Sequence, residues 1–178
     1  MSHIDINTAL HTSHPLRLFI FALVALMATA CDRNLFFEEN SSVDEEGWSM
    51  TEPVEFDMEI DDTTQYYNIF FNLRNSVNYK YSNAFFFINT TFPDTTCAAD
   101  TLECPLADPS GEWYGKKSGR FVDNRYYFRR KTRFPMAGTY HFSIKHGMRD
   151  HDIEGIKTVG IRLEKTTLET QDAAENEN

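Results

Sequence analysis

Apolar and polar positions alternate along most of the chain with a period of two. Val54, Phe56, Met58 and Ile60 alternate with Glu55, Asp57, Glu59 and Asp61, which predicts a strand with one apolar and one acidic face. Tyr67, Ile69, Phe71 and Leu73 alternate with Asn68, Phe70, Asn72 and Arg74; Tyr140, Phe142 and Ile144 with His141, Ser143 and Lys145; Val159, Ile161 and Leu163 with Gly160, Arg162 and Glu164. Residues 84–91 read AFFFINTT, with aromatics at both parities, which predicts a strand flanked on both sides. Further strands are expected over 126–134 and at Leu35 to Glu38. Turn signals separate these runs at Asp61-Asp62, Asn75-Ser76, Pro93-Asp94, Asp108-Pro109-Ser110-Gly111, Met136-Ala137-Gly138 and Glu154-Gly155. Apart from a short turn near Arg149 to Ile153, no window beyond residue 31 carries a sustained 3.6-residue period. The expected fold is therefore all-β, a single-domain antiparallel β-sandwich of about 7–8 strands, with a barrel as the alternative.

The N-terminus breaks the alternation. Leu18 to Ala30 is a continuous apolar run of 13 residues preceded by Arg17. A spanning helix needs about 20 residues, so the run reads as a secretory signal. Small residues at Ala28, Thr29 and Ala30 followed by Cys31 resemble a bacterial lipobox, in which the cysteine is lipidated and becomes the first mature residue. The expected organisation is a lipoprotein signal peptide over 1–30, a lipid-anchored β-sandwich over 31–165, and an acidic disordered tail over 166–178 that has no aromatic residue.

Composition adds three constraints. The 178 residues carry a formal charge of -10, which argues against a general nucleic-acid binder. That charge is uneven: eleven acidic and no basic side chains between Asn34 and Leu73, then eight basic and one acidic between Lys116 and Arg133. These segments could pair across strands or serve as docking patches. With Cys31 assigned to lipid, Cys97 and Cys104 remain, and in an oxidising compartment the pair is expected to form a disulfide closing the loop CAADTLEC.

Candidate chemistry is sparse. The sequence has no GxSxG, HExxH, phosphate-binding or dinucleotide-binding motif, so neither a catalytic site nor a metal or other cofactor is expected. His141 and His146 are an odd number of positions apart on one predicted strand and so face opposite sides. His146 and His151 flank a turn, where histidines are ordinarily exposed. Aromatic residues give a better lead. Trp113 and Tyr114 lie in GEWYGKKSG, where they could anchor a protein partner, stack on a sugar, or tuck under the end of the sandwich.

Several segments together resemble the gliding motility lipoprotein GldH family of Bacteroidetes. They are the lipobox at Cys31, YYNIFFNLR over 66–74, YSNAFFFI over 81–88, DTLECPLADPSGEWYG over 100–115, and GTYHFSIKHGMR with IEGIKTVGIRL over 138–163. The resemblance implies a non-enzymatic envelope lipoprotein; anchored at Cys31, it is expected on the periplasmic side of the outer membrane, since Asp32-Arg33-Asn34 does not match the surface-export signal of that phylum. It would dock to proteins of the gliding and type IX secretion machinery, and the expected partner surface is Trp113, Tyr114, Arg125, Arg129, Arg130 and Arg133. A lipid-anchored glycan-binding module is the alternative. The resemblance also implies O-glycan attachment at Asp-Thr turns, with Thr63, Thr95 and Thr101 as acceptors; ordinary turn chemistry explains the same residues.

Overall fold

The computed structural model describes residues 33–167. The chain divides into residues 1–33 and 34–178; of the first unit only Arg33 is described, so Cys31 and the signal run lie outside the described residues. Residues 168–178 of the expected tail also lie outside them.

Eleven strands follow one another: β1 (Leu35–Ser42), β2 (Trp48–Ser49), β3 (Val54–Ile60), β4 (Tyr66–Ser76), β5 (Asn83–Thr91), β6 (Cys97–Pro105), β7 (Lys116–Ser118), β8 (Phe121–Thr132), β9 (Gly138–His146), β10 (Asp152–Ile153) and β11 (Ile156–Thr166). Eight of them are seven residues or longer. All pairings are antiparallel. One sheet has the order β1-β11-β4-β8-β7, a second β3-β9-β5-β6, and β2 pairs with β10 in a two-residue ribbon. The fold is an all-β sandwich, as the alternation predicts.

Burial follows the period of two. Along β3 every second residue is buried, from Val54 to Ile60, and the acids between them are exposed. Tyr67, Ile69, Phe71 and Leu73 of β4 meet Ala84, Phe86 and Ile88 of β5 and Tyr140, Phe142 and Ile144 of β9 in one core. Rings lock the two sheets together: Phe71 lies 4.7 Å from Phe86, and Phe134 lies 4.7 Å from Tyr140. The strand β5 sits between β9 and β6, but only one of its faces is buried: Phe86 has no exposure, whereas Phe87 is 48% exposed.

The expected disulfide is corrected. The segment CAADTLEC is not a loop but the edge strand β6, paired with β5 from Thr91↔Cys97 to Ala84↔Cys104. A strand rises about 3.3 Å per residue, which sets the two cysteines about 23 Å apart, whereas a disulfide holds its Cα atoms roughly 5.5 Å apart. Their odd spacing also sends the side chains to opposite faces. Cys97 is exposed, Cys104 is buried, and both are free. Burial pushes the Cys104 thiol well above its usual range, and Glu103 adds to the shift. In the native protein without reductant, maleimide is expected to label Cys97 alone. Unfolding should expose a second reactive thiol. Equal protection of both cysteines, relieved only by reductant, would restore the bridge.

His146 differs from the exposed loop residue expected. It ends β9 on the core side at 1% exposure and meets Trp48 edge-on at 5.3 Å. Among the described residues neither ring nitrogen has a partner at hydrogen-bonding geometry, although backbone groups of Trp48 and His151 lie nearby. Burial lowers the pKa of His146, offset only in part by those backbone groups. The folded state thus holds the ring neutral, while the unfolded chain takes up a proton near pH ~6.5. His146 therefore costs stability progressively as pH falls below that value. His141 acts in the opposite sense: its hydrogen bond to Asp57 raises its pKa, so its contribution is present at low pH and is lost as pH rises through that value. That pair is solvent-exposed and contributes little. Between pH 7 and 5 the parent protein is expected to lose thermal stability, and His146→Leu should flatten this decline. Parallel pH profiles for the two proteins would contradict the assignment.

Candidate docking face

The surface that gathers most of the singled-out residues is the outside of the five-stranded sheet, where β4 and β8 lie side by side. Phe70↔Tyr127 and Asn72↔Arg125 are cross-strand neighbours. Their even spacing along each strand puts all four on the outer face. The Phe70 and Tyr127 rings are 4.4 Å apart. The Arg130 guanidinium lies over Tyr127 at 3.8 Å, and Arg125 over Phe70 at 5.8 Å. Such guanidinium–ring contacts hold a flat cationic surface in place at modest energetic gain.

Beside this array lies an ionic network. Arg162 of β11 is only 6% exposed. It is ion-paired with Glu38 of β1 through Nη1, and donates from Nε to Glu164 at 2.6 Å. Burial alone would lower the pKa of Arg162, but the bonds to Glu164 and Glu38 outweigh it and shift it upwards. Arg125 reaches the same two carboxylates at 3.8 and 3.7 Å and donates to Asn72 Oδ1 at 3.1 Å. Gly160 makes the close approach of β1 possible, because a Cβ there would lie 2.5 Å from the Glu39 carbonyl oxygen.

The four arginines have different surroundings. Arg125 and Arg130 belong to the outer face. Arg129 turns to the sheet edge, where it ion-pairs with Asp100 of β6 and lies 4.7 Å from the Phe128 ring. Arg133 follows the end of β8 and covers Tyr66 at 5.1 Å. Arg130 and Arg133 are exposed, and among the described residues neither has a carboxylate within ion-pair distance.

Trp113 and Tyr114 stand apart. Trp113 is half-buried against the core and bridges Ala107, so it serves as a structural plug rather than an open stacking platform. Tyr114 is 63% exposed, with its amide bonded to the Leu106 carbonyl at 2.9 Å. No ring contact or hydrogen bond joins either to the arginines among the described residues.

The charge asymmetry is accounted for in part by pairing between the two segments. Some acids of the N-terminal segment pair with the basic stretch: Glu45 with Arg120 at 3.0 Å and Glu38 with Arg125. Glu55, Asp57 and Glu59 instead face outward from the other sheet, with His141 2.7 Å from Asp57.

The Asp-Thr turns are tightly bonded. Asp62 accepts from the backbone and hydroxyl of Thr64 at 2.8 and 2.6 Å, and Asp94 from those of Thr96 at 3.0 and 2.6 Å. The threonine hydroxyl is the main reason that each carboxyl sits below its usual range. Thr63 is half-buried, Thr95 is exposed with φ 68°, and Thr101 is exposed on β6. No group of three or more His, Cys, Asp or Glu side chains is placed to hold a metal among the described residues.

Sequence reasoning missed Phe70, Tyr127, Glu38 and Arg162 as parts of this surface. A signal existed for one of them: Phe70 occupies the polar parity of its strand, between Asn68 and Asn72.

These features define an antiparallel β-sandwich whose distinctive groups lie on an outer sheet face. The chain belongs to the GldH lipoprotein family, whose model matches residues 35–163, from the start of β1 into β11. It is 32% identical over 155 residues to a gliding motility lipoprotein GldH homolog of Christiangramia forsetii, covering 83% of this chain and 94% of that one. It is 31% identical over 153 residues to the gliding motility lipoprotein GldH of Flavobacterium johnsoniae, covering 82% and 94%. Among solved structures, dimeric latent PorU from Porphyromonas gingivalis superposes at a TM-score of 0.33 with 8% identity, over 76% of this chain and 14% of that one. A superposition at that level carries no argument about fold or function.

Proposed function

We propose that this protein is a lipid-anchored envelope module that supports gliding or type IX secretion machinery by docking to other envelope proteins. Residues 1–30 are the signal peptide, Cys31 carries the lipid, and the sandwich faces the periplasm from the outer membrane. Membership of the GldH lipoprotein family supports the setting. The observation that carries the docking role is the array of Arg125, Arg130 and Tyr127 over the buried Phe70 ring, with Arg130 and Arg133 exposed and, among the described residues, lacking carboxylate partners. Arginine and tyrosine are the residue types that dominate binding energy at protein interfaces. A half-buried Trp113 gives no comparable support to glycan stacking.

Each acyl methylene buried in a bilayer contributes about 0.8 kcal/mol, so two or three chains on Cys31 make anchoring effectively permanent. Cys31→Ser is expected to move the protein from the membrane fraction to the soluble fraction or to leave the signal uncut. Normal processing and unchanged fractionation would refute the anchor. Docking is tested separately by affinity purification of the lipidated protein from its host, with recovery of gliding or secretion proteins expected. Their absence under conditions that preserve the envelope would refute it.

A further inference from the structure

A lipid on Cys31 would restrain one end of the sandwich and not the other. The first strand, β1, begins at Leu35, four residues after Cys31. An extended chain spans at most about 3.5 Å per residue, so these four residues reach about 14 Å. Leu35 would therefore stay within that distance of the headgroup layer. Strand pairing shows what lies beside it. Leu35 is opposite Glu164, Tyr66 opposite Thr166 and Tyr67 opposite Thr132, while Ile60 meets Gly138 in the other sheet. The loops over 61–65 and 133–137 thus share the end at which β1 starts. Asn78 follows the far end of β4, a strand of 11 residues that spans roughly 33 Å.

This end carries the side chains that suit a bilayer surface. Leu35 is 40% exposed. The Lys165 ammonium lies 5.4 Å from the centre of the Phe36 ring, and the Arg133 guanidinium 5.1 Å from that of Tyr66. Aromatic rings and long cationic side chains both favour the headgroup level, because each joins an apolar body to a polar tip. An open groove of about 570 Å³ lies here, lined by Thr63, Tyr66 and residues 131–135. Within it Arg133 is exposed and has no carboxylate at ion-pair distance among the described residues, which leaves the place to a phosphate.

Charge selects the kind of surface. Pro93 lies against Gly138, which puts the turn with Asp94 at this end as well. Asp61, Asp62 and Asp94 therefore offset Lys131, Arg133 and Lys165, and the sequence after Thr167 adds four acids and no base. Such a mixed end gains nothing from anionic lipid. A zwitterionic headgroup offers a phosphate to the bases and an ammonium to the acids. Lying on the flank at β3 is disfavoured, since it would press Glu55, Asp57 and Glu59 against the phosphates.

We propose that the end of the sandwich formed by Leu35 and the loops over 61–65 and 133–137 rests on a zwitterionic phospholipid surface, with Leu35 in the interface and Arg133 and Lys165 on headgroup phosphates. The proposal rests on the lipid-anchor reading and assigns the end that meets the bilayer. It leaves Arg125, Tyr127 and Arg130 open to a protein partner.

The test uses the full lipidated protein with Cys97→Ser, so that the only accessible thiol is one introduced by Ala137→Cys or, separately, by Asn78→Cys. Both positions are exposed. Each protein carries a fluorescent label on that thiol and is bound to phosphatidylcholine vesicles with nitroxide-bearing headgroups. Quenching is expected to be about threefold or more stronger at position 137 than at position 78, which lies about 33 Å further along the sandwich. The Leu35→Glu, Arg133→Glu double variant should lose about half or more of the quenching at position 137, because it sets two carboxylates against the phosphates. Arg133→Glu alone should lose less in the same direction, which keeps the test open if Leu35→Glu disturbs β1. Replacing part of the lipid by phosphatidylglycerol should leave the quenching unchanged. Equal quenching at the two positions would overturn the proposal. So would quenching at position 137 that both variants leave intact, since the tether alone would then hold the end there. Stronger quenching on phosphatidylglycerol would assign an anionic surface instead. Flotation of the same samples reads the anchor separately: lipidated protein that does not float with the vesicles would refute the anchor and this contact with it.

Discussion

Truncating Phe71 to alanine is expected to destabilise the domain by about 3–5 kcal/mol, a loss on the order of 10–20 °C in melting temperature. Phe71 has no solvent exposure and sits on β4, which is flanked by β11 and β8. Its ring meets Phe86 of the opposite sheet at 4.7 Å and a tilt of 45°. Both rings hang from strands held by neighbours on either side, so neither backbone can move in to refill the space. Loss of the ring thus costs its burial and leaves a cavity. Phe87, one position along from Phe86, points outward at 48% exposure. Phe87→Ala should cost less than about 1 kcal/mol. Chemical denaturation of the two variants beside the parent checks the argument; equal losses would contradict the inward and outward assignments of the two strands.

The second large effect is electrostatic. Arg162→Ala is expected to cost about 3 kcal/mol, since it strips two mostly buried carboxylates of their short guanidinium bonds and leaves them only the longer contacts to Arg125. The loss belongs to the under-compensated charges of Glu38 and Glu164, not to the arginine as such. Adding Glu38→Gln and Glu164→Gln to the same chain should therefore recover more than half of it. Arg162→Lys should restore little, because one ammonium cannot reproduce the two separate donors, Nη1 to Glu38 and Nε to Glu164. Denaturation midpoints of the three proteins decide the matter. A triple variant as unstable as Arg162→Ala would mean that lost packing, not unpaired charge, sets the cost.

Much of the fold is readable from the sequence because most strands bury one face. Val54 to Ile60 alternates without exception, and its burial follows residue for residue. Residues 84–91 carry aromatics at both parities, and the strand there has neighbours on both sides. The edge strand β6 was obscured for the opposite reason. Its inward positions begin with Ala98 and Asp100, only half-buried at the rim, so no apolar stripe marks it, and its two cysteines suggest a bridge that strand geometry forbids. His146 was obscured because polarity alone does not reveal a core position built around Trp48.

The docking face is half legible. The basic run from Arg125 to Arg133 is plain in the sequence, but its division into outer face, sheet edge and strand end depends on the register of β8 against β4. The Arg162–Glu38 pair joins residues 124 positions apart, a contact that no local pattern encodes. β8 outruns β7 because β7 is only three residues long, and nothing in the alternation of residues 116–118 marks where that strand stops.

The docking account is tested most directly by photo-crosslinking in the host, with a photoreactive residue at Tyr127 on the arginine face and, in a separate strain, at Asp57 on the outer face of the other sheet. The account predicts a discrete adduct from Tyr127 to a protein of the gliding or secretion machinery, absent from Asp57 and lost when Arg130 and Arg133 are reversed to glutamate. No adduct from Tyr127, or the same adducts from both positions, would contradict it.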